Sequence, residues 1–512
     1  MSSLKGKKIL IFQQRGWAIS VGHFLAQKLQ AEGARLSALT AKWSTHEFVL
    51  NQKDVRYEHI ISSDEVKSRP AKFLGADRYS LEEICRELGI ASIWPLVAGA
   101  RNHVRSYKDA YYYGFKQNVS DENIILYVQA VYKYIKQTFD EFGPELIISP
   151  NFPTLHHLMF YHYAKKRGVS MMALTDSKVR GVYVFSHDYN YETGAFHEQV
   201  KALNEGKAET KNRAKARAYI AEFRKGFKAP EGMEFWNPKN KKRSFLQRLR
   251  TELSPYYHVL KWYLKKPQNY WESIGATIDY KPPRIIIRDH YAYRRYRKFA
   301  NNFAYYPFEK LKKYAYLPLQ VQPEEAIDII APFASNQIET ARQIAMSLPD
   351  DYTLVVREHP AMVGLRTPSY LEKLDRTPNV KVIDYRIPNE TVLRGAGIVI
   401  CPNGTSVAEA ALLNKPAIQL GNLGTTLLLP NTVKHTDMPT LSKTIRNELG
   451  KNLHTPQYEE KLENFVAGAY DTGLEENYIS MWERNESQEK REPLWKFYEN
   501  EIVRLLNGKK NV

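Results

Sequence analysis

Residues Ile398–Gly421 read IVICPNGTSVAEAALLNKPAIQLG. A strand-length apolar run, a glycine turn, an eleven-residue helical pattern and a second apolar run after Pro416 follow one another without slack. Two strands joined by a helix form a parallel pair, so this stretch predicts a doubly wound α/β sheet. Gly404 stands between the first strand and the helix, where glycine lets a ligand approach the backbone. Thr405 can cap the helix, and the free N–H groups of the first turn favour a phosphate or diphosphate. Glu409 lies one turn further on the same face, placed to accept hydrogen bonds from two ribose hydroxyls. A plain N-capped helix with a solvated glutamate would read the same way.

Working upstream, the alternation continues. AIDIIAPF (326–333) reads as a strand, and SNQIETARQIAMSLP as a helix opening at Ser335 and stopping before Pro349. YTLVV, VKVIDY and the helices between them complete a second sheet, with Pro388 and Asn389 opening one helix. This domain is placed at 316–455. Arg357-Glu358-His359-Pro360 follows the strand YTLVV, at the strand end where ligand loops sit. Arg357 and His359 can both donate to phosphate oxygens, or His359 can be a loop histidine with a structural hydrogen bond. LPLQVQPEE (317–325) reads as an extended entry to the domain, held by two prolines. Its Gln320, Gln322 and Glu324 contact a ligand or tie the hinge together.

The N-terminal part alternates too. KKILIF is a strand, SVGHFLAQKLQAEG a helix with a glycine stop, and ARLSALT a strand. ELIISP, LHHLMFYHYAKKRG and VSMMALTD repeat the pattern. This first domain is placed at 1–205. Two such domains facing each other make the cleft between them the active site. Asp176, at the end of MMALT, is the choice for a general base that deprotonates an acceptor hydroxyl. Glu192 and Asp188 are the weaker alternatives. Arg15, after the strand ILIF, can hold an anionic acceptor or donor.

The 512 residues carry a formal net charge of +18, which calls for an anionic partner. The charge concentrates in 206–315, a basic helical connector where Lys and Arg alternate with aromatic residues, as in HVLKWYLKK and HYAYRRYRKF. That composition suits an anionic membrane surface, and equally a solvated hairpin with its aromatics buried. Residues 456–512 end in an amphipathic helix with Leu494, Tyr498, Ile502 and Leu505 on one stripe, which must pack back on the domains. The N-terminus lacks the apolar run of a secretory signal, and no stretch is long enough to span a bilayer. The expected place is the cytoplasm, peripheral to the inner face of the membrane. Cys85 and Cys401 form no disulfide framework and no Cys-based metal site.

There is no Asp-x-Asp, no Walker loop, no His-Glu-x-x-His and no G-x-G-x-x-G after the first strand. Kinase, zinc protease and NAD-dependent readings lose support, and no metal site is expected.

Tyr316-Leu-Pro-Leu-Gln-Val-Gln-Pro-Glu324, Glu358-His359-Pro360, Asn403-Gly-Thr-x-x-x-Glu409-Ala410, Lys415-Pro416 and Gly421 occur in this order. The set resembles the capsule polysaccharide biosynthesis family of bacterial GT-B glycosyltransferases, the group related to capsule Kdo transferases. The resemblance implies a GT-B-like fold of two Rossmann-like domains and metal-independent transfer of a sugar to a surface polysaccharide or glycolipid. It implies a nucleotide-sugar donor, with CMP and UDP as candidate carriers, and no separate cofactor. By position, His359 would meet the donor phosphate and also serve catalysis, and Glu409 the nucleotide. Gln322, Glu324, Arg357, Gly404 and Thr405 would complete the donor site. Related transferases carry a catalytic acid in the first domain, often in a Glu-x-Gly segment. Glu192-Thr193-Gly194 fits that pattern, whereas Asp176-Ser177-Lys178 lacks the glycine. The rival readings are a sugar-nucleotide epimerase or hydrolase on the same scaffold, and a basic nucleic-acid-binding protein; no nucleic-acid partner is expected.

Overall fold

The structure is a computed structural model, and it describes residues 4–99, 119–227, 244–265, 282–482 and 491–508. Two separate sheets form its frame. The first contains β1 (Lys8–Gln13), β2 (Arg35–Thr40), β3 (Tyr57–Ser62), β4 (Leu146–Ile148), β5 (Ser170–Asp176), β6 (Val182–Ser186) and a late strand, β13 (Leu474–Glu475). Their order is β13-β6-β5-β4-β1-β2-β3. Strands β1 to β5 run parallel, β6 is antiparallel to β5, and β13 is antiparallel to β6.

KILIFQ forms the centre of this sheet because successive side chains go to opposite faces and both faces are covered. Leu10 and Phe12 join a core containing Phe160 and Tyr134. Ile9 and Ile11 join another containing Trp17, Val21 and Tyr498.

The second sheet contains β7 (Tyr314–Pro318), β8 (Thr353–Arg357), β9 (Val380–Ile383), β10 (Ile398–Cys401), β11 (Ala417–Gln419) and β12 (Thr432–Lys434). Its order is β12-β11-β10-β7-β8-β9, and all neighbours are parallel. Counted from its own first strand this is 3-2-1-4-5-6, the dinucleotide-fold order, whose chain reversal lies between β7 and β10. Two Rossmann-like α/β domains are therefore present.

The main helices are α1 (Ala195–Asn204), α2 (Arg213–Lys225), α3 (Phe245–Lys265), α4 (Pro283–Asn301), α5 (Gln337–Ser347), α6 (Thr405–Leu412), α7 (Pro456–Thr472) and α8 (Glu492–Gly508). Within the connector, helix α2 packs on the second sheet: Ala216, Ile220 and Phe223 join its core. Arg224 ties it down by donating to Leu412 O at 2.8 Å and to Glu459 at 2.8 Å. Helices α3 and α4 form an antiparallel hairpin, with Arg294 donating to Glu252 at 2.8 Å. Helix α8 returns to the first sheet, where Leu494, Tyr498 and Ile502 are buried with Ile9 and Ile148. Trp17 Nε1 donates to Tyr478 Oη at 2.6 Å across the same junction.

Two local expectations are corrected. AIDIIAPF is not a strand: Glu325–Asp328 form one helical turn and Pro332–Ala334 a 3-10 turn. The opening strand is Tyr314–Pro318, buried at every position. An apolar run of this length does not specify its own secondary structure. Here it is apolar because it bridges the domains: Ile327 enters the second core, while Ile329 and Ile330 enter the first. Helix α5 is capped by Asn336, not Ser335; the Asn336 side chain accepts the Glu339 N–H at 3.3 Å. Among the described residues no helix is long and apolar enough to cross a membrane.

Candidate active site

The C-terminal ends of the two sheets face each other, and the chain reversal of the second sheet sits at their junction. Gly404 ends the turn after β10 with φ +118°, a backbone angle that favours glycine. A Cβ there would lie 3.2 Å from Gln320 Oε1, on the loop after β7. Gly404 occupies the N-cap position of α6 and Thr405 is its first residue, so Thr405 is not the cap. No side chain caps this helix, which leaves its positive end turned to the junction. Asn403 stitches the surrounding loops: its amide donates to Ala326 O at 2.6 Å and accepts from Leu423 N at 3.2 Å. Gly421 has no room for a side chain, because a Cβ would come within 2.6 Å of Asn403 and Ala331.

Glu409 does project from the first turns of α6 toward the junction, but its carboxylate is already engaged. Arg180, from the first domain, donates to Oε1 at 2.7 Å, and Asn389 Nδ2 donates to Oε2 at 2.6 Å. Glu409 is buried and Arg180 largely so. Burial pushes the Glu409 carboxyl up, against the pull of Arg180, Asn389 and Arg357. Asn389 Oδ1 in turn accepts from Tyr316 Oη at 2.8 Å and from Arg357 Nη1 at 3.3 Å. The Nε atoms of Arg180 and Arg357 are buried without a hydrogen-bond partner. Arg180 thus reaches Glu409 directly from the first domain, and Arg357 reaches it through Asn389 from the second, each guanidinium keeping one unpaired N–H. Arg180 and Asn389 were not read as site residues. Asn389 showed only as a helix start, and nothing in sequence marks Arg180.

His359 follows β8. Its Nδ1 accepts the Ala361 N–H at 3.2 Å, so the proton of the neutral ring belongs on Nε2. Burial, with Arg357 and Arg366 nearby, pushes its pKa down to about 4. At neutral pH it is an uncharged donor. Glu358 beneath it is fully paired: Arg366 donates to it at 2.9 Å, both side chains being buried. Arg366 also donates to Gln320 O and lies 4.5 Å from the Tyr370 ring centre, so it fixes the loops that carry His359 and Gln320.

The residues of 317–325 divide. Gln322 is 2% exposed; its amide donates to Asp328 at 2.7 Å and to Ser335 O at 3.0 Å, and accepts from Gln337 at 3.2 Å. It ties the loop together, the second of the two roles open to it, and its amide points inward and not at a donor. Glu324 has solvent access, yet the protein packed around it pushes it up to about 7, with Lys178 opposing. Glu325, which was not singled out, docks on the first domain by accepting from Phe152 N at 3.2 Å and from Tyr191 Oη. It too is pushed up to about 7 by burial.

In the first domain Asp176 ends β5 and accepts from Lys178 N at 2.8 Å and Lys178 Nζ at 3.0 Å. Burial would raise its carboxyl; the Lys178 charge and hydrogen bonds, with Arg180 beyond, outweigh that and hold it low. Asp176, Lys178 and Arg180 therefore form one strand-end turn facing Glu324 and Glu409. Asp188 is a loop organiser, accepting from Asn190 N, Glu192 N and Thr193 Oγ1. Glu192 is exposed, and burial of its surroundings and the Asp188 charge push it up. Its backbone packs where a Cβ on Gly424 would stand, at 2.5 Å from Tyr191 O. Arg15 opens a one-turn helix after β1, and its side chain lies outside the described residues.

Residues 237–423 match the family described as capsule polysaccharide biosynthesis protein, the family whose motifs the sequence resembles. No curated protein matches the chain. Among solved structures it is similar to KpsC, a beta Kdo 2,7 transferase from Thermosulfurimonas dismutans, at 12% identity over 66% of this chain and 80% of that one, with a TM-score of 0.34. It is similar to a UDP-GlcNAc 2-epimerase from Methanocaldococcus jannaschii at 13% identity, covering 87% and 94%, with a TM-score of 0.24. A glycosyltransferase from Rickettsia africae is 10% identical, covering 99% and 100%, with a TM-score of 0.28.

Proposed function

We propose that this protein is a metal-independent glycosyltransferase of the GT-B kind, acting in capsule or other cell-surface glycan synthesis. The first domain takes a glycan or glycolipid acceptor. The second takes a nucleotide sugar, with CMP and UDP carriers the first to test, and no other cofactor takes part. An acceptor of this kind is met at the cytoplasmic face of the membrane. The observation that carries the reading is the convergence, at the chain reversal of the second sheet, of an uncapped helix N-terminus, Glu409, Arg357 and neutral His359. The match of residues 237–423 to the capsule family supports it.

In this reading the uncapped turn at Gly404 and Thr405 receives the diphosphate or phosphate, and Glu409 the ribose. Asp176, ionised at neutral pH, takes the proton of the acceptor hydroxyl. The hydroxyl oxygen bonds to the anomeric carbon as the bond from that carbon to the phosphate oxygen breaks. The nucleotide leaves with the electron pair. His359 Nε2–H, Arg357 and the end of α6 meet the charge that develops on it. Glu192 is the second choice for the base.

The test is a thermal-shift screen against CMP-, UDP-, GDP- and dTDP-sugars, followed by product analysis with and without acceptor. Stabilisation by one nucleotide family and product only with acceptor are expected. Conversion of the donor alone to an epimer would replace this reading with an epimerase. Unchanged turnover in both Glu409→Ala and His359→Ala would remove the site assignment.

A further inference from the structure

Helix α3 has two unlike sides. It meets α4 through Glu252, which accepts from Arg294, and through Tyr256, whose hydroxyl lies 3.1 Å from that of Tyr291; Val259 and Trp262 are half-buried. On the other side Leu246, Leu249, Leu253, Tyr257, Leu260 and Leu264 follow one another at steps of three and four residues. All six are exposed, Leu246 at 74% and Leu264 at 76%. At about 100° per residue they fall, with Phe245 and Tyr263, in an arc of about 120°, and Tyr256 lies on its border with α4. Nine of the sixteen large apolar side chains most exposed among the described residues lie on this one helix, so the face is a patch and not scatter. Arg250 and Lys261 are exposed along one edge of it.

The hairpin is fastened through α4. Ile285, Tyr296 and Ala300 of α4 are buried, and the Tyr293 ring lies where a Cβ on Gly364 would stand, at 2.8 Å. Tyr385 Oη donates to Asn301 at 2.7 Å. Helix α4 therefore anchors α3 to the second domain with its apolar arc turned outward.

We infer that the exposed face of α3 is a docking surface for an anionic lipid bilayer, on which the helix lies in the interface plane. Charge selects this occupant. Helices α3 and α4 carry ten Lys or Arg against two acids, on a chain of net charge +18. A second copy would bring like charges together along the arc's basic edge. A nucleic acid would use the cations and leave a leucine-rich arc against water. An anionic bilayer takes both: headgroups for the basic edge, and the acyl boundary for leucine and tyrosine. The helix is not apolar enough to cross the membrane, as an interfacial helix should not be. This inference does not depend on the sugar-transfer reading.

The test is flotation of the full chain with phosphatidylcholine vesicles, with and without phosphatidylglycerol. The protein should float only with the anionic vesicles and be released by high salt. Leu253→Glu with Leu260→Glu should weaken partitioning by about a hundredfold or more, since two buried leucines are lost. Arg250→Ala with Lys261→Ala should weaken it by roughly tenfold or more. Both pairs are exposed and should leave the thermal unfolding midpoint unchanged. No flotation with anionic vesicles, or flotation untouched by the leucine pair, would overturn the inference. So would a dimer in sedimentation that the leucine pair abolishes without any lipid binding, or RNA binding with no lipid binding.

Discussion

Arg180, in the turn after β5 of the first domain, donates to Glu409 of α6 in the second at 2.7 Å. The carboxylate assigned to the ribose is thus held by the opposite domain before any nucleotide arrives. Removing one partner of a buried pair leaves the other without its countercharge. Arg180→Ala should lower stability by about 3 kcal/mol, seen as a lower thermal midpoint. Arg180→Lys should recover part of it, because the charge is kept while the planar guanidinium is lost. An unfolding curve identical to wild type in Arg180→Ala would mean that the two residues are apart in solution.

Glu325 gives stability a pH dependence of unusual sign. Its carboxyl is pushed up to about 7 in the fold, against about 4.3 in an unfolded chain. Between these values the folded state binds more protons, so stability falls as pH rises from about 4 through 7. Glutamine can still accept from Phe152 N and Tyr191 Oη without a charge. Glu325→Gln should therefore be more stable than wild type at pH 8, on the order of 2 kcal/mol, and little different at pH 5. Equal midpoints at both pH values would refute the assignment.

His359 should act as a neutral donor. His359→Ala is expected to cut turnover by about a hundredfold with an unaltered thermal midpoint. His359→Gln, which can place an N–H near the Nε2 position, should restore part of the rate. Because its pKa is pushed down to about 4, it should add no limb to the rate profile between pH 5 and 8. A rate that rises with protonation near pH 6.5 would contradict this.

The rate profile also separates the two candidate bases. Lys178 holds Asp176 low, whereas Glu192 is pushed up. With Asp176 as the base, kcat should hold to acid pH below the usual carboxylate range. With Glu192 it should fall above that range. Asp176→Asn and Glu192→Gln, measured at neutral pH, should identify the same residue by loss of turnover.

The second sheet was legible in sequence because β8 to β11 are short apolar runs set between helices with clear stops. The places of Gly404, Glu409, Arg357 and His359 in the fold were legible for the same reason: strand ends and helix starts have fixed places in a parallel sheet. What was not legible came from the meeting of the domains. Ile329 and Ile330 looked like half of a strand because burial in a second core leaves the same apolar signature. Arg180 carries no motif, and its place depends on how the two sheets face each other. Gln322 stood between residues expected to meet a ligand, yet its amide turns inward to Asp328, Ser335 and Gln337.

The return of β13 and α8 to the first sheet bears on how the protein is made. Synthesis runs from the N-terminus, so β1 to β6 leave the ribosome long before Tyr478 and Tyr498 exist to cover Trp17 and Ile11. One face of the first core stays uncovered while nearly three hundred further residues, 187–473, are added. The nascent chain spends that time with an apolar sheet face and the β6 edge open, the kind of surface that chaperones hold. Helix α8, translated after both sheets, is the one that closes the first domain.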